Sequence, residues 1–116
     1  MKLGIIGAME QETSRLKSMV KNKKIKTVSG VEFVSGELFS KEVVVATCGV
    51  GKVFAAICAE AMILEYRPDL IVNTGVGGSL CEQLGIADVC VADYVVQHDM
   101  DTTALGDPKG LLSGIN

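Results

Sequence analysis

The chain is expected to fold as an α/β protein, an open mixed sheet flanked by helices, on three observations. Short runs rich in Val and Ile alternate with segments of helical periodicity along much of its length. Those runs are apolar on consecutive residues, which suits strands covered on both faces. Three of them stop at small residues: Gly7-Ala8, Gly49-Val50-Gly51 and Gly75-Val76-Gly77-Gly78. Open α/β sheets hold their ligands at the carboxyl ends of parallel strands, and small residues there let a ligand approach the backbone.

Residues 2–8 read as the first strand and residues 9–21 as the first helix, with Leu16, Met19 and Val20 as its apolar stripe. Residues 21–26 hold four lysines and read as a solvated basic connection. Two short strands, 25–28 and 31–38, flank Ser29-Gly30 as a hairpin. Residues 42–48 make a further strand that ends at the second glycine junction. A helix over 52–66 carries Val53, Ile57, Ala61 and Leu64 at helical spacing, and Pro68 closes it. Residues 69–74 form a strand with an apolar centre, and residues 87–97 read as one more long strand. Residues 98–116 have no periodicity.

Composition narrows the function classes. The 116 residues suit one domain with a sizeable core. The net charge of −3 leaves no basic face for nucleic acid phosphates. With 4% aromatics and no Trp, a bound base or sugar would be held by backbone groups and aliphatic side chains rather than a stacking platform. No apolar stretch approaches the length of a membrane span, and residues 1–8 lack the pattern of a signal peptide. Cys48, Cys58, Cys81 and Cys90 show no Cys-x-x-Cys spacing, and each lies in or beside an apolar run. Reduced core thiols in a cytoplasmic protein are the expectation, ahead of a disulfide framework or a zinc site.

Glu12 is the leading candidate for chemistry. It lies four residues before Leu16 and eight before Val20, on the apolar side of the first helix. A carboxylate there is partly desolvated, and the helix N-terminus keeps it anionic, suited to taking a proton from water. The alternative is that Glu10 and Glu12 only offset the helix dipole. The run His98-Asp99-Met100-Asp101 contains metal-ligand types, but consecutive residues on an extended chain point apart, so no metal is expected. A solvated or dimer-contacting loop is expected there, with Met100 and Leu105 offering apolar surface to a neighbour. None of the glycine junctions ends in Gly-Lys-Ser/Thr, so a P-loop is not expected.

Five motifs occur in order along the chain: GIIGAMEQE at 4–12, SGEL at 35–38, CGVGKV at 48–53, PDLIVNTGVGGSL at 68–80 and QHDMDTTALGDPKG at 97–110. Together they resemble the N-terminal half of the 5′-methylthioadenosine/S-adenosylhomocysteine nucleosidases, of the purine nucleoside phosphorylase-like superfamily. The resemblance implies hydrolysis of the N-glycosidic bond between adenine and a 5-thio-substituted ribose, through an oxocarbenium-like transition state. It implies that Glu12 activates the attacking water, while an aspartate protonates adenine and a second glutamate holds the ribose hydroxyls. The loops carrying Ala8 and Met9, Val50, and Val76, Gly77 and Gly78 would form the nucleoside cleft, with Met9 and Val50 on the ribose and thio-substituent side. Position 76 is often serine in that family, so Val76 costs a polar contact. Leu105 matches a site where a bulkier aromatic often reaches into the partner subunit's pocket. A homodimer without metal or organic cofactor is implied.

The chain is about half the family's size, and the ribose-binding glutamate and proton-donating aspartate belong to the other half. Residues 1–116 are therefore expected to be the N-terminal part of a single nucleosidase domain, inactive alone. A phosphorylase would need a cationic clamp where the chain has Ala8-Met9-Glu10-Gln11-Glu12, so water is the expected nucleophile. Three alternatives remain open: a nucleoside-binding module without turnover, an assembly fragment, and a related hydrolase such as a futalosine hydrolase.

Overall fold

A computed structural model describes residues 1–111, which fall into two compact units, Met1–Gly78 and Ser79–Asn116, the second described as far as residue 111. The first unit holds β1 (Lys2–Gly7), α1 (Glu10–Met19), β2 (Lys21–Val28), β3 (Val31–Leu38), β4 (Lys41–Thr47), α2 (Lys52–Tyr66) and β5 (Leu70–Asn73). Its sheet runs β2-β3-β4-β1-β5. β1 lies parallel to both β4 and β5, while β2, β3 and β4 are successive antiparallel neighbours. The sheet is mixed and open, as the alternation of elements predicts.

The core forms two layers, because successive side chains of a strand point to opposite faces. Ile6, Phe33, Val44 and Ala46 pack with Cys58, Ala61 and Met62 of α2. Val34, Leu38, Val43 and Val45 pack on the other face with Val20 and, partly buried, Leu16 of α1. β4 contributes to both layers, which is why its run is continuously apolar. The Ser29-Gly30 turn has both residues in the left-handed region, at φ 51° and 79°, the geometry that matches hairpin twist.

Three sequence expectations need correction. Residues 21–26 belong to edge strand β2: Lys21, Lys24, Ile25 and Lys26 are in register with β3, with an irregularity between Lys21 and Lys24, and the lysines stay exposed. Charged side chains on an edge strand discourage further pairing, so lysine content marks this strand's position rather than a turn. On α2 the buried residues are Cys58, Ala61 and Met62, whereas Val53, Ile57 and Leu64 are exposed. That helix is apolar nearly all round, so several stripes satisfy the same spacing. Residues 87–97 form no strand. Val89, Val91 and Val95 are exposed, and no neighbouring strand pairs with their backbone among the described residues.

The second unit is built from turns. Its only helical element among the described residues is a 3-10 turn, Thr103–Leu105, started by Asp101, whose carboxylate accepts from the Thr103 amide at 3.1 Å and hydroxyl at 2.7 Å. Those two bonds hold the Asp101 carboxyl below its ordinary range. His98 is exposed, and no group of three or more His, Cys, Asp or Glu residues among the described residues converges as a metal site.

The cysteines divide between the units. Cys48 and Cys58 are buried and Cys81 and Cys90 exposed, all four as free thiols, so the expectation of core thiols holds only for the first pair. Burial pushes the Cys48 thiol up and the Cys58 thiol up to about 11. The Ser79 hydroxyl lowers that of Cys81. Because thiolates are the reactive form, an aromatic disulfide reagent should label two thiols of the native chain promptly, Cys81 first. The other two should react only after unfolding; four prompt thiols would contradict this burial.

Candidate functional site

The carboxyl ends of β4, β1 and β5 lie side by side. Gly7 is in register with Thr47, and Ile6 with Asn73. Two further backbone bonds extend the ladders past the strand ends, from Cys48 N–H to Gly7 O and from Thr74 N–H to Ile6 O, each at 2.9 Å. The three glycine-bearing segments therefore leave one edge of the sheet together.

Glu12 sits at this edge. The chain turns at Ala8 and enters α1 at Glu10, with Met9 as N-cap in an extended conformation. Glu12 occupies the third helical position, where a carboxylate reaches back to the unpaired N–H groups of the helix start. Its Oε2 accepts from Ala8 N–H and Met9 N–H, both at 2.9 Å. Its Oε1 accepts from Val76 N–H at 3.1 Å, a bond spanning 64 residues of sequence. The carboxylate thus joins the segment leaving β1 to the segment leaving β5.

Gly75 makes room for that bond. A Cβ at this position would lie 2.8 Å from Glu12 Oε1 and 3.2 Å from its Cδ. Gly7 does the same for the helix, since a Cβ there would lie 2.5 Å from the Thr13 Cγ2 methyl. The Glu12 carboxyl is held below its ordinary range by the Val76 and Met9 amides foremost and by Ala8, against a smaller opposing effect of desolvation. A depressed folded-state value means that ionisation of Glu12 favours the folded form at neutral pH, and that this contribution is lost as pH falls through the folded value. If Glu12 is the base, the acid limb of the pH–rate profile should lie below the ordinary glutamate range. A limb at or above that range would oppose the assignment.

Of the residues expected at the site, Ala8, Met9, Glu12 and Val76 meet directly. Val50 is exposed on the bend after β4, in the same unit. The Val76 side chain is 83% exposed, so its contribution to Glu12 comes from the backbone amide. Gly77 and Gly78 are exposed and face open space. Leu105 lies on the 3-10 turn of the second unit, 81% exposed. The apolar side of α1 is formed by Thr13 and Leu16 and continued by Val20 just past its end, with Thr13 fully buried and Glu12 at the edge, whereas Met19, expected in the stripe, is exposed. The sequence marked Gly75 only as part of a strand-ending junction, and Thr13 not at all. Gly75 had a signal, being the first residue after an apolar strand; Thr13 had only its helical spacing from Leu16 and Val20.

The chain is similar to known proteins over most of its length. Residues 2–114 match the model of the phosphorylase superfamily. A 5′-methylthioadenosine/S-adenosylhomocysteine nucleosidase of Shewanella halifaxensis is 44% identical over 113 residues, which are 97% of this chain and 49% of that protein. The crystal structure of the Neisseria meningitidis nucleosidase of that name, in complex with methylthio-immucillin-A, superposes with a TM-score of 0.95 at 36% identity, over 99% of this chain and 50% of that one. A futalosine hydrolase of Helicobacter pylori superposes with a TM-score of 0.89 at 33% identity, over 98% and 49% of the two chains. The chain spans about half the length of the curated relatives it matches. With a superfamily model matched over residues 2–114 and a shared sheet, this chain belongs to the phosphorylase superfamily.

Proposed function

We propose that this chain supplies the water-activating part of a nucleosidase that hydrolyses the N-glycosidic bond of 5′-methylthioadenosine and S-adenosylhomocysteine, releasing adenine. The observation that carries the reading is the Glu12 carboxylate, held by three backbone amides from two segments at the carboxyl edge of the sheet. Glu12 takes a proton from water as the water oxygen bonds to the anomeric carbon. The bond from that carbon to the adenine nitrogen breaks, and its electron pair leaves with adenine, which is protonated by an acid outside these residues. For the methylthio substrate the products are adenine and 5-methylthioribose, which suits a place in methionine salvage.

The same amides bear on the choice between water and phosphate. Backbone N–H groups at strand ends are the usual cradle for a phosphate. Here those of Ala8, Met9 and Val76 are occupied by the protein's own carboxylate, whose charge repels an anion. Hydrolysis rather than phosphorolysis follows, within a superfamily named for the latter. In this reading Ala8, Met9, Val50, Val76, Gly77 and Gly78 line the nucleoside cleft, and Leu105 contributes to the pocket of a partner subunit. Residues 1–116 are then the N-terminal part of one nucleosidase domain, and the complete protein is a cytoplasmic homodimer. Half-length coverage of the relatives supports the first statement. Exposed Val53, Phe54 and Leu64 on α2 supply apolar surface consistent with the second. No described helix is long and apolar enough to cross a membrane.

The test is release of the free purine base by the protein at its full natural length, from methylthioadenosine, S-adenosylhomocysteine and futalosine-type nucleosides, with and without inorganic phosphate. The expected result is free adenine at a rate indifferent to phosphate. A sugar 1-phosphate product would replace hydrolysis with phosphorolysis, and turnover confined to the futalosine-type substrate would reassign specificity.

A further inference from the structure

Behind Glu12 lies a second polar chain that the proposed hydrolysis does not use. Thr13 is fully buried, and its Oγ1 lies 2.7 Å from Thr47 Oγ1 at the end of β4. Thr47 Oγ1 lies 2.7 Å from Glu10 Oε2, and the Lys17 ammonium donates to the same oxygen at 3.0 Å. Lys17 also approaches Glu32 of β3 at 4.0 Å. An ionised carboxylate only accepts, so the Thr47 hydroxyl must donate to Glu10. Its lone pairs are then the partner for the Thr13 hydroxyl, which must donate to Thr47. The proton direction is fixed along the chain, from Thr13 to Thr47 to Glu10. Thr13's other approach, to Met9 O, is at 3.5 Å, the outer limit of a hydrogen bond.

This chain fastens the first turn of α1 to the sheet. The Thr13 hydroxyl ties it to β4, and the Thr13 methyl fills the space over Gly7 of β1. Two of the amides that hold Glu12, those of Ala8 and Met9, belong to the segment leading into the same helix and move with it. The third, from Val76, follows β5 and does not. Any drift of α1 against the sheet therefore falls on the bond between Glu12 and Val76.

We infer that Thr13 and Thr47, with Glu10, are positioning residues: a directed hydroxyl latch that keeps α1 in place and so keeps the Glu12 carboxylate on the Val76 amide. The inference rests on the reading of Glu12 as the base, and the experiment separates the two. In the protein at its full natural length, Thr13→Val keeps the methyl and removes the hydroxyl, whereas Thr13→Ser keeps the hydroxyl. Losing one neutral hydrogen bond should lower kcat about 3- to 10-fold in Thr13→Val and likewise in Thr47→Val. KM should stay near its original value, and Thr13→Ser should recover most of the rate. The acid limb of the pH–rate profile should move up in Thr13→Val, and Val76 amide exchange should quicken. In a Glu12→Gln background, Thr13→Val should change kcat no further. An unchanged kcat and acid limb in Thr13→Val, or an equal loss in the Glu12→Gln background, would overturn the latch. Full turnover by Glu12→Gln would instead remove the water-activation reading. Val76 exchange alone would then decide the latch, quickened exchange upholding it and unchanged exchange overturning it.

Discussion

Replacing Glu12 by glutamine should lower the rate of adenine release by about 10²–10⁴-fold in the protein at its full natural length, the usual contribution of a positioned general base. The substitution is nearly isosteric but not neutral in hydrogen bonding. Both oxygens of Glu12 accept from backbone N–H groups. An amide has one oxygen and one NH2 group, so glutamine satisfies one side and presents a donor to a donor on the other. The pair Ala8 and Met9 would take the oxygen, leaving Val76 opposed by the NH2. Loss of the proton acceptor and slackening of the bridge therefore coincide. Single-turnover measurement of adenine release separates the chemical step from product release. A rate unchanged within experimental error would end the reading of Glu12 as base.

Gly75→Ala should produce the second largest loss, by a different route. The backbone at Gly75 lies outside the left-handed region, so alanine meets no torsional obstacle. The added methyl would sit 2.8 Å from Glu12 Oε1, and the carboxylate must leave its place or the strand end must shift. A side-chain terminus usually yields at small cost, but this one is held by three amides. The first casualty is the bond to Val76, the leading hydrogen bond that holds the carboxylate in its ionised form. If that loss is felt in the transition state, kcat falls by about 10- to 150-fold. Because the Val76 amide is the leading cause of the low Glu12 value, the acid limb should move up in pH with the fall in rate. A fall in rate with the acid limb unmoved would point to a shifted strand end rather than a released carboxylate.

The two substitutions act on one atom group from opposite ends of the first unit, and only one was visible in the sequence. Glu12 was legible because its spacing from Leu16 and Val20 placed a carboxylate beside an apolar stripe at the start of a helix. The three glycine junctions were legible as strand ends, and their convergence followed once a parallel sheet was assumed. Gly75 looked like any strand-ending glycine, since its role depends on a carboxylate 63 positions earlier in the chain. Thr13 and Thr47 carried no pattern linking them, because hydrogen-bond partners on different elements leave no periodicity. The misread lysines of β2 and the misplaced stripe of α2 share a cause. Composition reports solvent exposure and apolar content, but not which neighbour supplies the ladder or which of several apolar faces is covered.

Alternation of short Val- and Ile-rich runs with helical segments was enough to determine an open α/β sheet, because periodicities of two and of 3.6 residues are written locally. The same local signals located Glu12 and the small residues at the ends of β1, β4 and β5. Only the tertiary structure decided that the Glu12 carboxylate spans two of those ends, that Gly75 leaves the space for it, and that Thr13 fastens its helix to β4. Each of those facts is a distance between groups remote in sequence, and such distances exist only once strand register and helix placement are set.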